Sequence, residues 1–221
     1  MSTNALFSAA QVPTHDELAA WLPKALLRPP GETAQYRMAP ALRKQETAAF
    51  GTPETARPSA VLIVLYPQDG SWHTVFIKRG SYDGVHSDQV SFPGGRSEQS
   101  DRDLTHTALR ETEEEVGLAQ HAVQVMGRLT QLWVPASNHL IHPFVGLAAE
   151  APVFVPEPAE VSAVLPTALA DLFHPATKAE TVIRLRGGMT IQAPYYAIHE
   201  ERVWGATAMI ISELEAVFAA F

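Results

Sequence analysis

Glu111, Glu113, Glu114 and Glu115 fall within five positions beside Arg110, about one helix downstream of the pair Gly94-Gly95. On a helix, residues three and four apart share a face, so Glu111, Glu114 and Glu115 converge on one side and Glu113 points elsewhere. Like charges at that spacing destabilise a helix by about 0.2–0.5 kcal/mol per pair. A cation offsets that cost, and Mg²⁺, which prefers carboxylate oxygens and retains waters, is the first candidate. An isolated Glu113-Glu114-Glu115 run more often marks a solvated helix face. Its coupling to the glycine pair and to Arg110-Glu111 favours metal binding.

The elements that must position these residues are legible around them. Leu104 to Val116 has helical spacing, with Asp103 or Asp101 as its cap and Gly117 as its stop. Upstream, the apolar, β-branched run Ala60 to Tyr66 reads as a buried strand, the stretch Pro67 to Gly70 as a turn, and Thr74 to Arg79 as the returning strand of a hairpin. Strand patterns recur at Val123 to Leu132, Ile141 to Leu147, Thr181 to Leu185 and Thr190 to Ala197, and a short helix is expected over Pro166 to Phe173. An amphipathic helix is expected from His15 to Leu27, then a Pro-rich lead-in, and an apolar core helix from Ala206 to Phe221. This pattern implies one α/β domain with a mixed β-sheet between helices.

Composition narrows the class. A chain of 221 residues with 46% hydrophobic and 18% charged residues reads as an ordinary globular protein. No apolar run approaches the roughly 18 residues of a membrane span, and the N-terminus lacks the features of a secretory signal. The absence of cysteine excludes disulfides, thiolate zinc sites and a cysteine nucleophile, and fits the cytoplasm. A formal charge of −8 argues against broad nucleic-acid binding. A polyanionic substrate would need a local basic patch or metal ions as its bridge.

The stretch from Gly95 to Leu118 resembles the Nudix box, with Arg110, Glu111, Glu114, Glu115, Gly117 and Leu118 on its pattern. Asp101 stands where the first Glu is usual, one extra residue precedes Arg110, and Thr112 is more polar than the apolar residue usual there. That Asp and that spacing are similar to the subgroup of coenzyme A pyrophosphatases. So is the upstream run from Arg79 through His86, Gln89-Val90-Ser91-Phe92-Pro93 to Gly94-Gly95, in which Asp88 replaces the usual Gly. The resemblance extends over roughly residues 38 to 210. It implies a Nudix fold and hydrolysis of a pyrophosphate linkage in coenzyme A or acyl-CoA, with Mg²⁺ or Mn²⁺ as cofactor. The alternatives are a hydrolase of ADP-ribose, dinucleotides or nucleoside triphosphates, and a catalytically silent ligand sensor.

On this reading the metal is held by Glu111, Glu114 and Glu115, with the Gly95 carbonyl implied as a further ligand by the resemblance. Arg110 is expected to face away from the acids, and the resemblance pairs it with Asp101, a role of orientation. The general base is expected to be Glu111 or Glu115 through a metal-bound water, with Glu160 (near Glu157 on a later loop) as the outside candidate. Arg79 and His86 are expected to contact the phosphates. His139 and His142 are expected to be structural; Tyr195, Tyr196 and Trp204 are expected to pack rather than stack an adenine. The partner is a small nucleotide-type pyrophosphate, with neither nucleic acid nor membrane. Residues 1–37 are expected to dock on the 38–221 domain or to help form a homodimer.

Overall fold

The computed structural model describes residues 12–45, 53–80, 89–184 and 188–221. Its sheet is organised by β1 (Arg57–Gln68), which turns at Asp69-Gly70 into β2 (Ser71–Arg79) to form an antiparallel hairpin with Tyr66 opposite His73. β1 also runs parallel to β7 (His139–Ala148), from Arg57 opposite His139 to Leu65 opposite Leu147. A parallel pair needs a long crossover, and this one carries α3 (Leu104–Val116) across one face. Near its start, β1 takes the short β4 (Gly94–Arg96) as an antiparallel neighbour, with Gly95 opposite Ala60. β3 (Val90–Ser91) and β8 (Val161–Ala168) pair with β2, while β5 (Val123–Arg128) and β6 (Leu132–Val134) pair with β7. β9 (Lys178–Arg184), β10 (Thr190–Ile198) and β11 (Glu201–Trp204) form a separate antiparallel sheet.

Side-chain alternation along β1 builds two cores, because successive residues face opposite sides. Ala60, Leu62, Val64 and Tyr66 pack with Ala108 and Val116 of α3. Ile63 and Leu65 pack on the other side with α1 (His15–Ala25) and α5 (Ala206–Phe218). Both faces are covered, which is why the run from Ala60 to Tyr66 is apolar throughout rather than alternating. The mixed sheet between helices is the expected fold.

α1 starts with a capping box, in which Thr14 Oγ1 accepts the Glu17 N–H at 3.3 Å and Glu17 Oε2 accepts the Thr14 N–H at 2.7 Å. Such a cap contributes about 1 kcal/mol. Leu18 and Leu22, both fully buried in the α5-side core, each contribute about 1.5–3 kcal/mol. Packing therefore outweighs capping in holding α1. A polar clamp adds to it: the fully buried carboxylate of Glu213 on α5 accepts N–H groups from Gly31 (2.9 Å), Gln35 Nε2 (2.8 Å) and Thr130 (3.2 Å to each oxygen). It joins the N-terminal segment, where Gln35 ends the short helix α2 (Glu32–Gln35), the β5–β6 connection and the C-terminal helix.

Three expectations about local structure are corrected. The stretch from Pro166 to Phe173 is not one helix: β8 runs to Ala168, and only α4 (Leu169–Leu172) follows as helix. β8 lies beside β2 alone among the described residues, and an edge strand tolerates the missing N–H of Pro166, which sits opposite Val75. The strand expected over Val123 to Leu132 divides into β5 and β6, with an irregularity between Val125 and Gly127. β11 was absent from the expected strands; its pairing with β10 sets Trp204 opposite Tyr195. Tyr196, fully buried, donates its hydroxyl to Glu215 Oε2 at 3.1 Å. Among the described residues no helix is long and apolar enough to cross a membrane.

Substituting Glu213→Ala would leave several N–H donors buried without an acceptor. It is expected to lower the unfolding free energy by about 3 kcal/mol in urea, with Glu213→Gln costing less because one carbonyl oxygen remains. Equal stability of Glu213→Ala and the wild type would show that the clamp carries no weight.

Candidate active site and metal centre

α3 is set by its ends and by the face it buries. Asp103 caps it, Oδ1 accepting the His106 N–H at 2.8 Å, and Gly117 closes it by donating to the Glu113 carbonyl at 2.9 Å. Ala108, Thr112 and Val116 are buried against the sheet. Thr112 is tolerated there because its hydroxyl turns back onto the Ala108 carbonyl at 2.7 Å. The helical spacing then carries Glu115 inward, 1% exposed, with Glu111 beside it. Glu113 and Glu114 are exposed, and Glu113 accepts a hydrogen bond from Gln120.

The two glycines answer different constraints. Gly94 has φ 149°, and a Cβ there would stand 2.3 Å from the Ala60 carbonyl oxygen of β1. Its N–H donates to Glu115 Oε2 at 2.7 Å. A Cβ on Gly95 would fall 2.3–2.5 Å from the carboxylate atoms of Glu111. β4 is thus pressed between β1 and the acid face of α3, at a distance only glycine permits.

Arg110 braces the loop that follows β4. Its Nε and Nη2 donate to the two oxygens of Asp101 at 2.9 and 3.1 Å, and Nη2 also reaches the Arg96 carbonyl at 3.2 Å. His106 Nδ1 and Thr107 Oγ1 complete the Asp101 carboxylate at 3.0 and 2.8 Å. This bidentate pair holds the Asp101 carboxyl far below the usual carboxylate range. Contrary to expectation, Arg110 does not face away from the acids. Its Nη1 lies 3.0 Å from Glu111 Oε1 and 2.7 Å from Glu114 Oε2. The reason is geometric: Glu114 lies one turn on, and a five-donor guanidinium serves loop and helix together.

Glu115 is the electrostatic centre. Burial pushes its carboxyl up to about 7, opposed by Arg79 and the Gly94 N–H and reinforced by Glu111 and Glu160. Burial raises Glu111 as well, while Arg110 pulls it back. Arg79, at the end of β2, places Nη1 3.2 Å from Glu115 Oε1 and donates from Nη2 to the Gly94 carbonyl at 2.6 Å. The loop from Pro152 to Pro158 docks on the end of α3: Val155 and Glu157 donate their N–H groups to the carbonyls of Val116 and Glu115 at 2.9 and 3.0 Å. That docking, and the Gly80 N–H bonded to the Glu160 carbonyl at 2.8 Å, bring exposed Glu160 to the Glu115 side of the helix.

The structure therefore brings together Arg79, Gly95, Arg110, Glu111, Glu115 and Glu160. Glu114 stands at the rim, drawn to Arg110. His86 lies outside the described residues. His142 is buried on β7, opposite Ala60 of β1. Sequence reasoning missed His106 and Thr107 as partners of Asp101. Their place in the first turn of α3, directly after the loop, was the available signal.

A family model described as the NUDIX domain matches residues 56–185. The chain belongs to the Nudix family. It is a Nudix hydrolase with relatives of several names. It is 35% identical over 159 residues to the mitochondrial coenzyme A diphosphatase NUDT8 of Homo sapiens, a match covering 70% of this chain and 67% of that protein. It is 30% identical over 184 residues to an uncharacterized Nudix hydrolase, NudL, of Pectobacterium atrosepticum, covering 81% of this chain and 88% of that protein. With the chloroplastic Nudix hydrolase 22 of Arabidopsis thaliana it shares 42% over 114 residues, 49% of this chain and 37% of that protein.

Nudix hydrolases generally need divalent metal ions, and the residues of this Nudix hydrolase fit one. Glu115 Oε1 is buried without a hydrogen-bond donor, Glu111 lies against the Gly95 backbone where a side chain would otherwise sit, and the donors are all hard oxygens. Among the described residues no three acidic or histidine side chains are already gathered as a metal cage. The oxygens that could receive a cation are those of Glu111, Glu115 and the backbone, and Arg110 contacts both Glu111 and Glu114.

Two outcomes are expected. Folded Glu115 keeps its proton at pH values where the unfolded chain, with an ordinary carboxylate near 4.5, has lost it. Stability of the metal-free protein therefore falls as pH rises from about 4.5 to about 7, and Glu115→Gln removes that fall. Thermal melts of both proteins across this range check it; parallel curves would show that Glu115 is not the group responsible. Asp101 has the opposite sign, its stabilisation present above the ordinary value of 3.8 and lost as pH drops below it. Asp101→Asn is expected to cost about 3 kcal/mol near neutral pH, with Arg110 left short of a partner, and the gap from wild type to narrow in acid.

Proposed function

We propose that this Nudix hydrolase cleaves the pyrophosphate linkage of coenzyme A or acyl-CoA, giving 3′,5′-ADP and 4′-phosphopantetheine or its acyl derivative, with Mg²⁺ or Mn²⁺. The observation that carries the reading is the meeting of Arg79 with Glu115 at 3.2 Å. It joins the segment resembling the coenzyme A subgroup to the acid helix of the Nudix box. The human relative named as a coenzyme A diphosphatase supports the same substrate class. The absence of cysteine is in keeping with a cytoplasmic setting, although relatives carry mitochondrial and chloroplastic names. We read the N-terminal lead-in as part of the hydrolase body, since Leu18 and Leu22 are buried in the common core.

On this reading Glu111, Glu115 and the Gly95 carbonyl hold the cation, with Glu114 as a rim ligand. When bound, the ion neutralises pyrophosphate charge and acidifies water. Arg110 keeps the loop and α3 in register through Asp101. Arg79 supplies paired N–H donors to phosphoryl oxygens, and His86 a further contact. Glu115 Oε2 is taken by the Gly94 N–H, and Oε1, without a hydrogen-bond donor, is left to the cation. With Glu115 given over to the cation, we take the exposed carboxylate of Glu160, on the same side of the helix, as the proton acceptor for attacking water, with Glu111 or Glu115 acting through a metal-bound water as the alternative.

The test is a panel of coenzyme A, ADP-ribose, NADH, diadenosine polyphosphates and dNTPs with Mg²⁺ or Mn²⁺, products resolved chromatographically. Coenzyme A is expected to have the highest kcat/KM. Turnover of ADP-ribose without coenzyme A overturns the substrate class, and an intact fold that turns over nothing favours a ligand sensor. Glu160→Gln is expected to lower kcat by about 10²–10⁴-fold while leaving Mn²⁺ affinity unchanged. A kcat near wild type returns the proton-accepting role to Glu111 or Glu115.

A further inference from the structure

Glu115 carries two competing demands on one buried carboxylate. Oε2 accepts the Gly94 N–H at 2.7 Å. Oε1 has no hydrogen-bond donor, yet lies 3.2 Å from Arg79 Nη1. The contact is an ion pair without a directed hydrogen bond, so it supplies charge but leaves a lone pair free. The same guanidinium is tethered from Nη2 to the Gly94 carbonyl at 2.6 Å. Glu115 is 1% exposed, so water cannot solvate its charge, and a cation must. Arg79 has a quarter of its side-chain surface exposed, 24%, and so remains open to a ligand arriving from solvent.

We infer that Arg79 is a handover residue: it serves as the counter-ion of Glu115 until the metal arrives, and passes to the pyrophosphate of the substrate, so that metal and substrate bind cooperatively. This rests on the reading of the site as a metal-dependent pyrophosphohydrolase. Two cations sharing one buried carboxylate repel each other, because the low-dielectric surroundings screen them poorly. Metal binding alone is therefore opposed by Arg79. A diphosphate removes that opposition by offering the guanidinium oxygens of its own, which it binds in a fork that matches their geometry. Coupling between two ligands is reciprocal, so the metal strengthens diphosphate binding by the factor by which diphosphate strengthens metal binding. Arg79 is a positioning residue in this scheme as well as a phosphate contact. Gly94 is its fixed point, since the residue that holds Glu115 through its N–H also holds Arg79 through its carbonyl.

The experiment measures Mn²⁺ binding by electron paramagnetic resonance and calorimetry, with and without methylenediphosphonate, a pyrophosphate analogue that is not hydrolysed. Wild type, Arg79→Gln and Arg79→Lys are compared, with thermal melts to establish that each is folded. In alkaline buffer, where Glu115 is ionised with or without Arg79, Arg79→Gln is expected to bind Mn²⁺ alone about 5–10-fold more tightly than wild type, at the lower end of typical coupling factors. Methylenediphosphonate is expected to tighten Mn²⁺ binding more in wild type than in Arg79→Gln. A gain of affinity on removing a side chain is not what a merely structural role would give. Arg79→Lys, whose single ammonium cannot span the Gly94 carbonyl and Glu115 together, is expected to lie between the two, and carries the test if Arg79→Gln does not fold. Unchanged or weaker Mn²⁺ binding in the folded variants overturns the handover and leaves the metal site standing. Wild type that binds no Mn²⁺ overturns the metal-dependent reading and the handover with it.

Discussion

A carboxylate that is almost wholly removed from water must be given a proton or a cation, and Glu115 imposes that choice on everything around it. The Gly94 N–H and the Arg79 guanidinium both serve that one buried group. The fold could satisfy Glu115 cheaply by protonation, and burial alone moves it that way, up to about 7. Arg79 and Gly94 act against burial and keep ionisation within reach. A site tuned between those outcomes is suited to a cation that comes and goes with substrate.

The rest of the architecture can be ranked by its distance from that carboxylate. β1 and β4 set the floor, because the approach of β4 to β1 fixes where the Gly94 N–H and carbonyl point. Arg110 and Asp101 set the height of the loop over α3 through a bidentate pair, reinforced by His106 and Thr107. The loop that docks on the end of α3 brings in Glu160. More distant still, the Glu213 clamp and the leucines of α1 stabilise the opposite face of the sheet. Those contacts hold the scaffold without touching the chemistry.

Much of the site could be read locally, and the limits of that reading are physical. The spacing of Glu111 and Glu115 predicted a common face, because helical periodicity is local. Periodicity treats Glu114 as equivalent to them, however, and cannot say which carboxylate the sheet will bury. Burial took Glu115, and Arg110 took Glu114. The alternation of strand and helix was similarly legible, whereas β8 was concealed by Pro166, whose disfavour for strands is removed by an edge position that only the sheet defines. Asp101 and Asp103 were indistinguishable as caps. One caps the helix, and the other is claimed by an arginine two turns further on.

By itself, then, the sequence determined the elements and their chemistry: the hairpin of β1 and β2, the capped acid helix closed by Gly117, the oxygen donors suited to a hard cation, and the Nudix pattern that joins them. These are written in periodicity, residue type and short spacing, which act over a turn or two of chain. Tertiary structure alone decided which glutamate is buried, why Gly94 and Gly95 must each lack a side chain, and how Arg79 and Glu160 reach α3. Those contacts join residues far apart in the chain, and their energies depend on burial and dielectric, which exist only once the sheet and α3 have closed on each other.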